Sequence, residues 1–299
     1  LMKSFLKQPR GNRIKKRQHH YSYIRGCKVQ IYTSLSMLFQ TVLKKMETED
    51  FSPINYFLPI ENDLLQVNQL IGKSIQIKHV GYQCLGCGDD HGIFRQGFCK
   101  KCFFESPMAG TWIMKPEESK AHLGIADRDL EFEKHMQLQP HIVYLSNTGA
   151  IKVGITRKKQ LPTRWIDQGA HQALAILEVP NRYLAGVAEV ALKEHISDKT
   201  NFRVMLSKPE STLDLKQHWN SLKAYVPSEV SDFIVESEVV HLNFPFDPKG
   251  KEVQSTNLTK EPELNGVLTG IKGQYLLFED GRVLNIRSHE GFQIELRLN

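Results

Sequence analysis

The sequence has no apolar run approaching the ~20 residues that a membrane-spanning helix needs. No secretory signal pattern precedes its few cysteines, so a disulfide framework is not expected. Hydrophobic residues make up 40% and charged residues 24% of the 299 positions, which is typical of a globular protein with two or three small domains. These features favour a reducing, cytoplasmic location over a membrane or a secreted one.

Motifs of several enzyme classes are also missing. The chain has no Gly-x-Ser-x-Gly elbow of acyl-transfer hydrolases, and no Gly-x-Gly-x-x-Gly turn follows a strand as in dinucleotide-binding enzymes. Outside one cluster of four, the remaining cysteine is Cys27, near the start of the chain. The main body therefore has no spare thiol for nucleophilic catalysis, and neither acyl-transfer nor redox chemistry is indicated.

Acidic residues are absent from residues 1–36, which carry nine lysines and arginines. The formal net charge of the chain is +6, so residues 37–299 have a net charge of −3. The overall charge therefore gives no argument that the main body binds nucleic acid. We expect residues 1–36 to be disordered or outside the native domain, with Met37 or Met46 as the natural start. A basic arm for phosphate backbones and an import peptide are the alternatives.

The cysteines of the cluster form two CxxC pairs with eleven residues between the pairs, Cys84 with Cys87 and Cys99 with Cys102. Each pair can present two thiolates from one turn, and two such turns complete the tetrahedron that zinc prefers. The spacing predicts a structural zinc site, because four protein ligands leave no open position for a substrate. A redox CxxC, unligated core cysteines and His91 as a substitute ligand are the alternatives.

Residues 142–170 predict two short antiparallel strands joined by a tight turn at Gly149, followed by a basic loop and a helix. A third strand is expected over residues 174–179 and an amphipathic helix over 181–198. Glu189 lies on the flank of the apolar stripe of that helix. A carboxylate at that position could face a groove beside the sheet.

Further helices are expected within residues 117–139 and over 211–226. The tail consists of alternating apolar and polar segments with turn signals, of which Asp280-Gly281 is the strongest hairpin signal. A small barrel or sandwich is the natural closure for such strands. The strand expected over 74–82 can join it, which would bring the two ends of the chain together.

The order strand, turn, strand, helix, strand, helix resembles the core of the GIY-YIG nucleases. The second tyrosine of that family is replaced here by Lys152, and Ile142 stands where the first motif has its glycine. The positions that match the family's motifs are Tyr144, Lys152-Val153-Gly154, Arg164, the metal-binding Glu189 and Asn201, where some members carry a late asparagine.

This resemblance implies that Glu189 holds a single Mg²⁺ or Mn²⁺ that polarises the scissile phosphate. Tyr144 would activate the attacking water, Arg164 would stabilise the developing charge, and Lys152 would belong to the same catalytic group. The simpler role for Glu189 is an ion pair with Lys193, four residues further along the helix. The residues expected to contact the nucleic-acid backbone are Arg157, Lys158, Lys159 and Asn201.

A second resemblance is broader. The phrases RQGFCKKCF, KVGITR, PTRWIDQGA, VPNRYLAG and VLNIR are similar, in this order, to those of an uncharacterised bacterial family, the domain of unknown function 2797. The similarity extends from about residue 60 to residue 299 and leaves residues 1–36 outside the family domain. The family carries no assigned function, so the chemistry has to be argued from the residues.

Together these patterns predict an α+β protein with a GIY-YIG-like hairpin and helix core, a zinc-ribbon-like module and a small antiparallel β-barrel built from the tail. The predicted function is nucleic-acid binding, to DNA or RNA, with divalent-metal-dependent phosphodiester hydrolysis as its catalytic form. The alternatives are a non-catalytic nucleic-acid or protein-binding adaptor and a zinc-stabilised interaction protein. The predicted parts are a basic leader (1–36), N-terminal strands (37–83), the zinc module (84–108), a helical connector (109–140), the core (141–208), and a helix plus barrel (209–299).

Overall fold

The structure is a computed structural model, and it describes residues 21–24, 27–30, 37–61, 63–196, 201–207, 210–248, 250 and 252–298. Of the basic leader, only residues 21–24 and 27–30 are described, so the expectation that residues 1–36 are disordered or outside the native domain stays a prediction. Within the described ranges, no helix has the length and apolar character needed to cross a lipid bilayer.

Short helices and many strands make up the fold. The helices are α1 (Lys100–Glu105), α2 (Leu130–Gln137), α3 (Thr163–Asp167), α4 (Arg182–Lys193), α5 (Phe202–Ser207) and α6 (Leu215–Leu222). The strands are β1 (Tyr21–Ile24), β2 (Cys27–Gln30), β3 (Met37–Val42), β4 (Glu47–Glu49), β5 (Asn55–Ile60), β6 (Asp63–Gln66), β7 (Ser74–Tyr82), β8 (His141–Asn147), β9 (Ile151–Arg157), β10 (Gln172–Val179), β11 (Val240–His241), β12 (Gln254–Ser255), β13 (Glu263–Lys272), β14 (Tyr275–Phe278), β15 (Arg282–Asn285) and β16 (Phe292–Leu298).

The strands form three sheets, with the orders β1-β2-β6-β5-β4, β11-β10-β8-β9 and β12-β15-β14-β13-β7-β16-β3. In the four-stranded sheet, β8 pairs antiparallel with both β9 and β10, which confirms the predicted hairpin and the third strand. Gly149 adopts a φ of +96° in the turn between β8 and β9, a conformation that favours glycine. Strand β9 is an edge of this sheet, and its last residues line the candidate functional site.

Both faces of the four-stranded sheet are covered, which explains why every residue of β8 is buried. Ile142 and Tyr144 on one face join the large core that the other two sheets share. Val143 and Leu145 on the opposite face pack with the apolar sides of α4 and α6. A strand buried on both faces reads as a continuous apolar run, as the sequence IVYL does.

The predicted barrel is wrong. Strand β11 of the tail pairs with β10 in the four-stranded sheet, and the other described strands of the tail belong to an open sheet whose edges are β12 and β3. The strand expected over 74–82 does join the tail, since β7 lies between β13 and β16. Strand β3 then pairs with the other side of β16 and ends the sheet. The alternating pattern identified the buried face of each strand, but it does not specify which edges pair.

Three helices are shorter than expected, and one of them is α4, which ends at Lys193 rather than residue 198. The helix expected within 117–139 is confined to α2, because short 3₁₀ turns precede it and Gly124 ends the last of them with a φ of +72°. Asp129 then starts α2 by accepting a hydrogen bond from the Phe132 amide. Helix α6 begins after Asp214, which caps it in the same way, and ends at Leu222 rather than residue 226.

Candidate functional site

Tyr144 lies at the centre of β8 with no exposed surface. Its strand partner is Gly154 on the edge strand β9, where an added Cβ would lie only 2.7 Å from the Tyr144 hydroxyl oxygen. The glycine therefore leaves the space in which the tyrosine ring lies across β9. This is a physical reason for a glycine in the second motif that does not depend on catalysis.

The hydroxyl of Tyr144 donates a hydrogen bond to Gln168 Oε1 at 2.8 Å, just after helix α3. Burial raises the pKa of the Tyr144 hydroxyl, while the charge and hydrogen bonding of Arg164 act in the opposite direction. Because the net shift is upward, the hydroxyl stays protonated at neutral pH. Arg164 therefore lies near enough to the Tyr144 hydroxyl to affect its pKa.

A groove of about 440 Å³ lies beside Arg164, between the end of β9 and helices α2, α3 and α4. Among the described residues, the one acid that lines it is Asp167, which pairs with Lys45 at 2.5 Å and is only 6% exposed. Five cationic side chains line it from five separate segments of the chain, Lys45, Arg157, Arg164, Arg182 and Arg287. The lining therefore has a clear excess of positive charge, and we call this groove the arginine groove.

Arg182, the first residue of α4, is fixed by the backbone of the connector. Its guanidinium donates to the carbonyl oxygens of Trp112 at 3.0 Å and Ile113 at 2.9 Å, and lies 5.4 Å from the Trp112 ring centre. Burial lowers the pKa of Arg182 to about 10, with opposing effects from Glu189, which raises it, and Arg164, which lowers it. The site thus holds two guanidinium groups close enough to repel, a situation that an anion would relieve.

Glu189 lies near Arg182 and Tyr144 but does not line the groove. Its carboxylate is 12% exposed and pairs with Lys193 at 3.8 Å, so the simpler structural contact is present. Its charge also raises the pKa of Tyr144 and of Arg182, which places it within electrostatic range of both. A single carboxylate fits Mg²⁺, which keeps several waters and takes one or two carboxylates together with substrate phosphates.

The other predicted residues are more scattered. Lys158 pairs with Glu178 at 2.8 Å, and Lys159 is exposed beside it, but neither lines the groove. Lys152 is buried on β9, two residues from Gly154 towards the turn. Asn201 accepts a hydrogen bond from the Arg203 amide at the start of α5. Helix α5 packs on the turn between β8 and β9, and this turn is at the opposite end of the hairpin from Arg157.

Sequence reasoning missed Arg182, Lys45, Arg287 and Gln168. Arg182 carried a usable signal, because a cation in the first turn of a helix opposes the helix dipole and needs another reason to be there. No sequence pattern marked Lys45 and Arg287 as site residues, because they reach the groove from opposite ends of the chain.

The four cysteines come together as predicted. Their sulfur atoms all lie within 4.8 Å of one another, which suits a tetrahedral metal site with sulfur ligands roughly 2.3 Å from the ion. The Cys99 amide donates to Cys84 Sγ at 3.1 Å, and the Gly86 amide does so at 3.4 Å. Burial raises the pKa of the Cys84 thiol, but backbone hydrogen bonds outweigh it and lower the pKa to about 6. The cluster could therefore hold a metal ion such as zinc, and His91 is not part of it.

Comparison with known proteins identifies the family. The chain matches the family described as "Protein of unknown function (DUF2797)" over residues 72–294, and it belongs to that family. The match includes the cysteine cluster, the hairpin and most of the tail. Neither the curated proteins nor the solved structures give a match to this chain.

His141, at the start of β8, gives the fold a testable dependence on pH. Its ring is fully buried, and Nδ1 donates to the Gln139 carbonyl at 2.7 Å in the neutral form. Burial lowers the pKa of His141 to about 4, helped by the charges of Arg182 and Arg157. The unfolded chain takes up a proton on this histidine near pH 6.5, whereas the folded chain does so only near pH 4. The contribution of His141 to the free energy of unfolding is therefore fully present above pH 6.5, and about 3 kcal/mol of it is lost as the pH decreases to 4.

In the variant His141→Asn, we expect the free energy of unfolding to depend less steeply on pH between 6.5 and 4 than in the wild type. Urea unfolding at several pH values measures this, with exposed His135→Asn as the control. Equal pH dependence in wild type and His141→Asn would contradict the assigned burial of a neutral ring.

Proposed function

We propose that the arginine groove binds the sugar-phosphate backbone of a nucleic acid. The observation that carries this proposal is the convergence of five cationic side chains, from five segments, on a groove in which the one acid of the described lining, Asp167, is already paired with Lys45. Arginine is well suited to the task, because its planar guanidinium can form two parallel hydrogen bonds to a phosphate. Cations spread along a groove match an anion that repeats, as a phosphate backbone does.

A second proposal is that the groove also hydrolyses the bound strand. Its support is that Arg164 and Glu189 both lie close enough to the Tyr144 hydroxyl to affect its pKa. Glu189 would hold a Mg²⁺ or Mn²⁺ ion, which when bound would polarise the phosphate. Arg164 would stabilise the charge that develops on it. Tyr144 has no exposed surface and does not line the groove, so we assign it a positioning role: its hydrogen bond to Gln168 holds the end of α3, the helix that carries Arg164.

The rival is an adaptor that binds nucleic acid or protein without cleaving it. The pairing of Glu189 with Lys193 favours this rival, because it occupies the carboxylate that a metal would need. A zinc-stabilised interaction protein without affinity for nucleic acid is the third alternative. For the cysteine cluster we propose a structural zinc ion, since four thiolates complete the tetrahedron and leave no position for a substrate.

The variant Arg157→Gln/Arg164→Gln tests binding at the groove. Hydrogen bonds to charged groups contribute about 1.5–3 kcal/mol each, so we expect affinity for a short DNA or RNA strand to fall at least about tenfold. Fluorescence anisotropy at fixed salt gives the dissociation constants.

The matched control is Lys216→Gln/Lys260→Gln, which removes two exposed charges that do not line the groove. Equal losses in both double variants would show that only net charge matters and would contradict binding at the groove. Absence of any nucleic-acid affinity in the wild type would favour the third alternative.

A further inference from the structure

Three phenylalanines form a cluster on the surface of the cysteine module. The ring centres of Phe94, Phe103 and Phe104 lie 5.3–5.7 Å apart. Phe94 is 43% exposed and Phe104 is 57% exposed. Grouped aromatic rings left in contact with water are uncommon on a small module and mark a surface that another molecule covers.

A guanidinium accompanies these rings. The central carbon of Arg95 lies 5.4 Å from the Phe94 ring centre and 6.0 Å from that of Phe103, and the arginine is itself exposed. We call Phe94, Arg95, Phe103 and Phe104 the aromatic platform. Flat apolar rings beside an arginine are the groups on which proteins stack unpaired bases, because each base has a polarisable face.

The aromatic platform is joined to the arginine groove by a short, fixed segment. Met108, four residues after Phe104, lines the groove and is itself 57% exposed. Four residues span at most about 14 Å, even when fully extended. Arg128 fixes this segment, since its guanidinium donates to the carbonyl oxygens of Phe103 at 2.8 Å and Ser106 at 2.5 Å. A strand in the groove therefore needs only a few nucleotides to reach the rings.

We propose that the aromatic platform stacks unpaired nucleobases of the same strand whose phosphates lie in the arginine groove. This rests on the proposed function and specifies its substrate as single-stranded nucleic acid, or the unpaired part of a longer one. The faces of bases within a duplex are covered by their neighbours, so a duplex cannot use the platform. Arg95 favours a polyanion over an apolar protein segment as the occupant.

The test compares two single strands of equal phosphate number, an oligothymidylate of roughly 12 nucleotides and the same strand made of abasic sugar-phosphate units. We expect the wild type to bind the abasic strand about tenfold more weakly. The variant Phe94→Ala/Phe104→Ala should bind both strands with that same weak affinity, and with an unchanged dependence on salt. Met114→Ala, which removes an exposed apolar side chain outside the platform, is the control.

Equal affinity of the wild type for both strands would overturn the proposal, as would an unchanged affinity of the double variant. If Arg157→Gln/Arg164→Gln weakens binding while the bases make no difference, the platform is wrong and the groove stands. If the wild type binds neither strand, both proposals fall. The comparison of the two strands uses only the wild type, so it remains decisive even if the phenylalanine variant fails to fold.

Discussion

The variant Cys99→Ser/Cys102→Ser is expected to lose its metal and the fold of the cysteine module. The apolar core of this module contains little besides Cys84, Phe98, Cys99 and Ala109, which is too small to stabilise it alone. Structural zinc contributes about 10–16 kcal/mol in comparable sites. We therefore expect one zinc per wild-type chain and almost none in the variant, measured by elemental analysis of the purified protein.

Limited proteolysis supplies the structural readout for the same variant. Cleavage should appear within residues 84–106, while the strands of the large core stay resistant. The control is Cys27→Ser, which removes the one cysteine that belongs to neither CxxC pair of the sequence and should keep full metal content. A variant that retains zinc, or a wild type that contains none, would contradict the assignment of the cluster as a structural zinc site.

If the protein cleaves the nucleic acid that the arginine groove binds, replacing Glu189 by Gln should almost abolish that cleavage. The change keeps the size of the side chain and removes the charge that would hold the metal. Because metal polarisation of a phosphate contributes several kcal/mol, we expect the rate to fall at least about a hundredfold. The assay is single-turnover cleavage of a labelled strand with Mn²⁺.

The matched control for this experiment is Glu194→Gln, which removes an exposed carboxylate at the end of the same helix. Both variants should still bind the nucleic-acid strand, because Glu189 does not line the groove. Equal cleavage by Glu189→Gln and the wild type would exclude the metal role of Glu189. A wild type that binds but never cleaves would favour the adaptor.

The parts of the fold that the sequence predicted correctly depend on local patterns. The hairpin follows from two short apolar strands around Gly149, and the metal site follows from cysteine spacing alone. Both depend on residues close together in the chain, where geometry restricts the outcome. The roles of Tyr144 and Arg164 came from a resemblance to a family and stay a prediction, since periodicity alone does not assign them.

The remaining parts required contacts between distant segments. The barrel was wrong because β3 and β7, far from the tail in sequence, pair with its strands and extend the sheet. The arginine groove is similar, since Lys45 and Arg287 are separated by most of the chain. Net charge concealed it as well, because residues 37–299 have a net charge of −3 although one groove concentrates five cations. Local charge at a site depends on folding, and composition does not report it.

The salt dependence of single-strand binding tests the central claim most directly. Each phosphate neutralised by a cation contributes about −0.7 to the slope of log affinity against log salt concentration for single strands. Lys45 is already paired with Asp167, so with the other four cations we predict a wild-type slope near −3 and a slope shallower by about 1.4 in Arg157→Gln/Arg164→Gln. A slope near zero, or the same slope in wild type and variant, would contradict the binding of phosphates in the arginine groove.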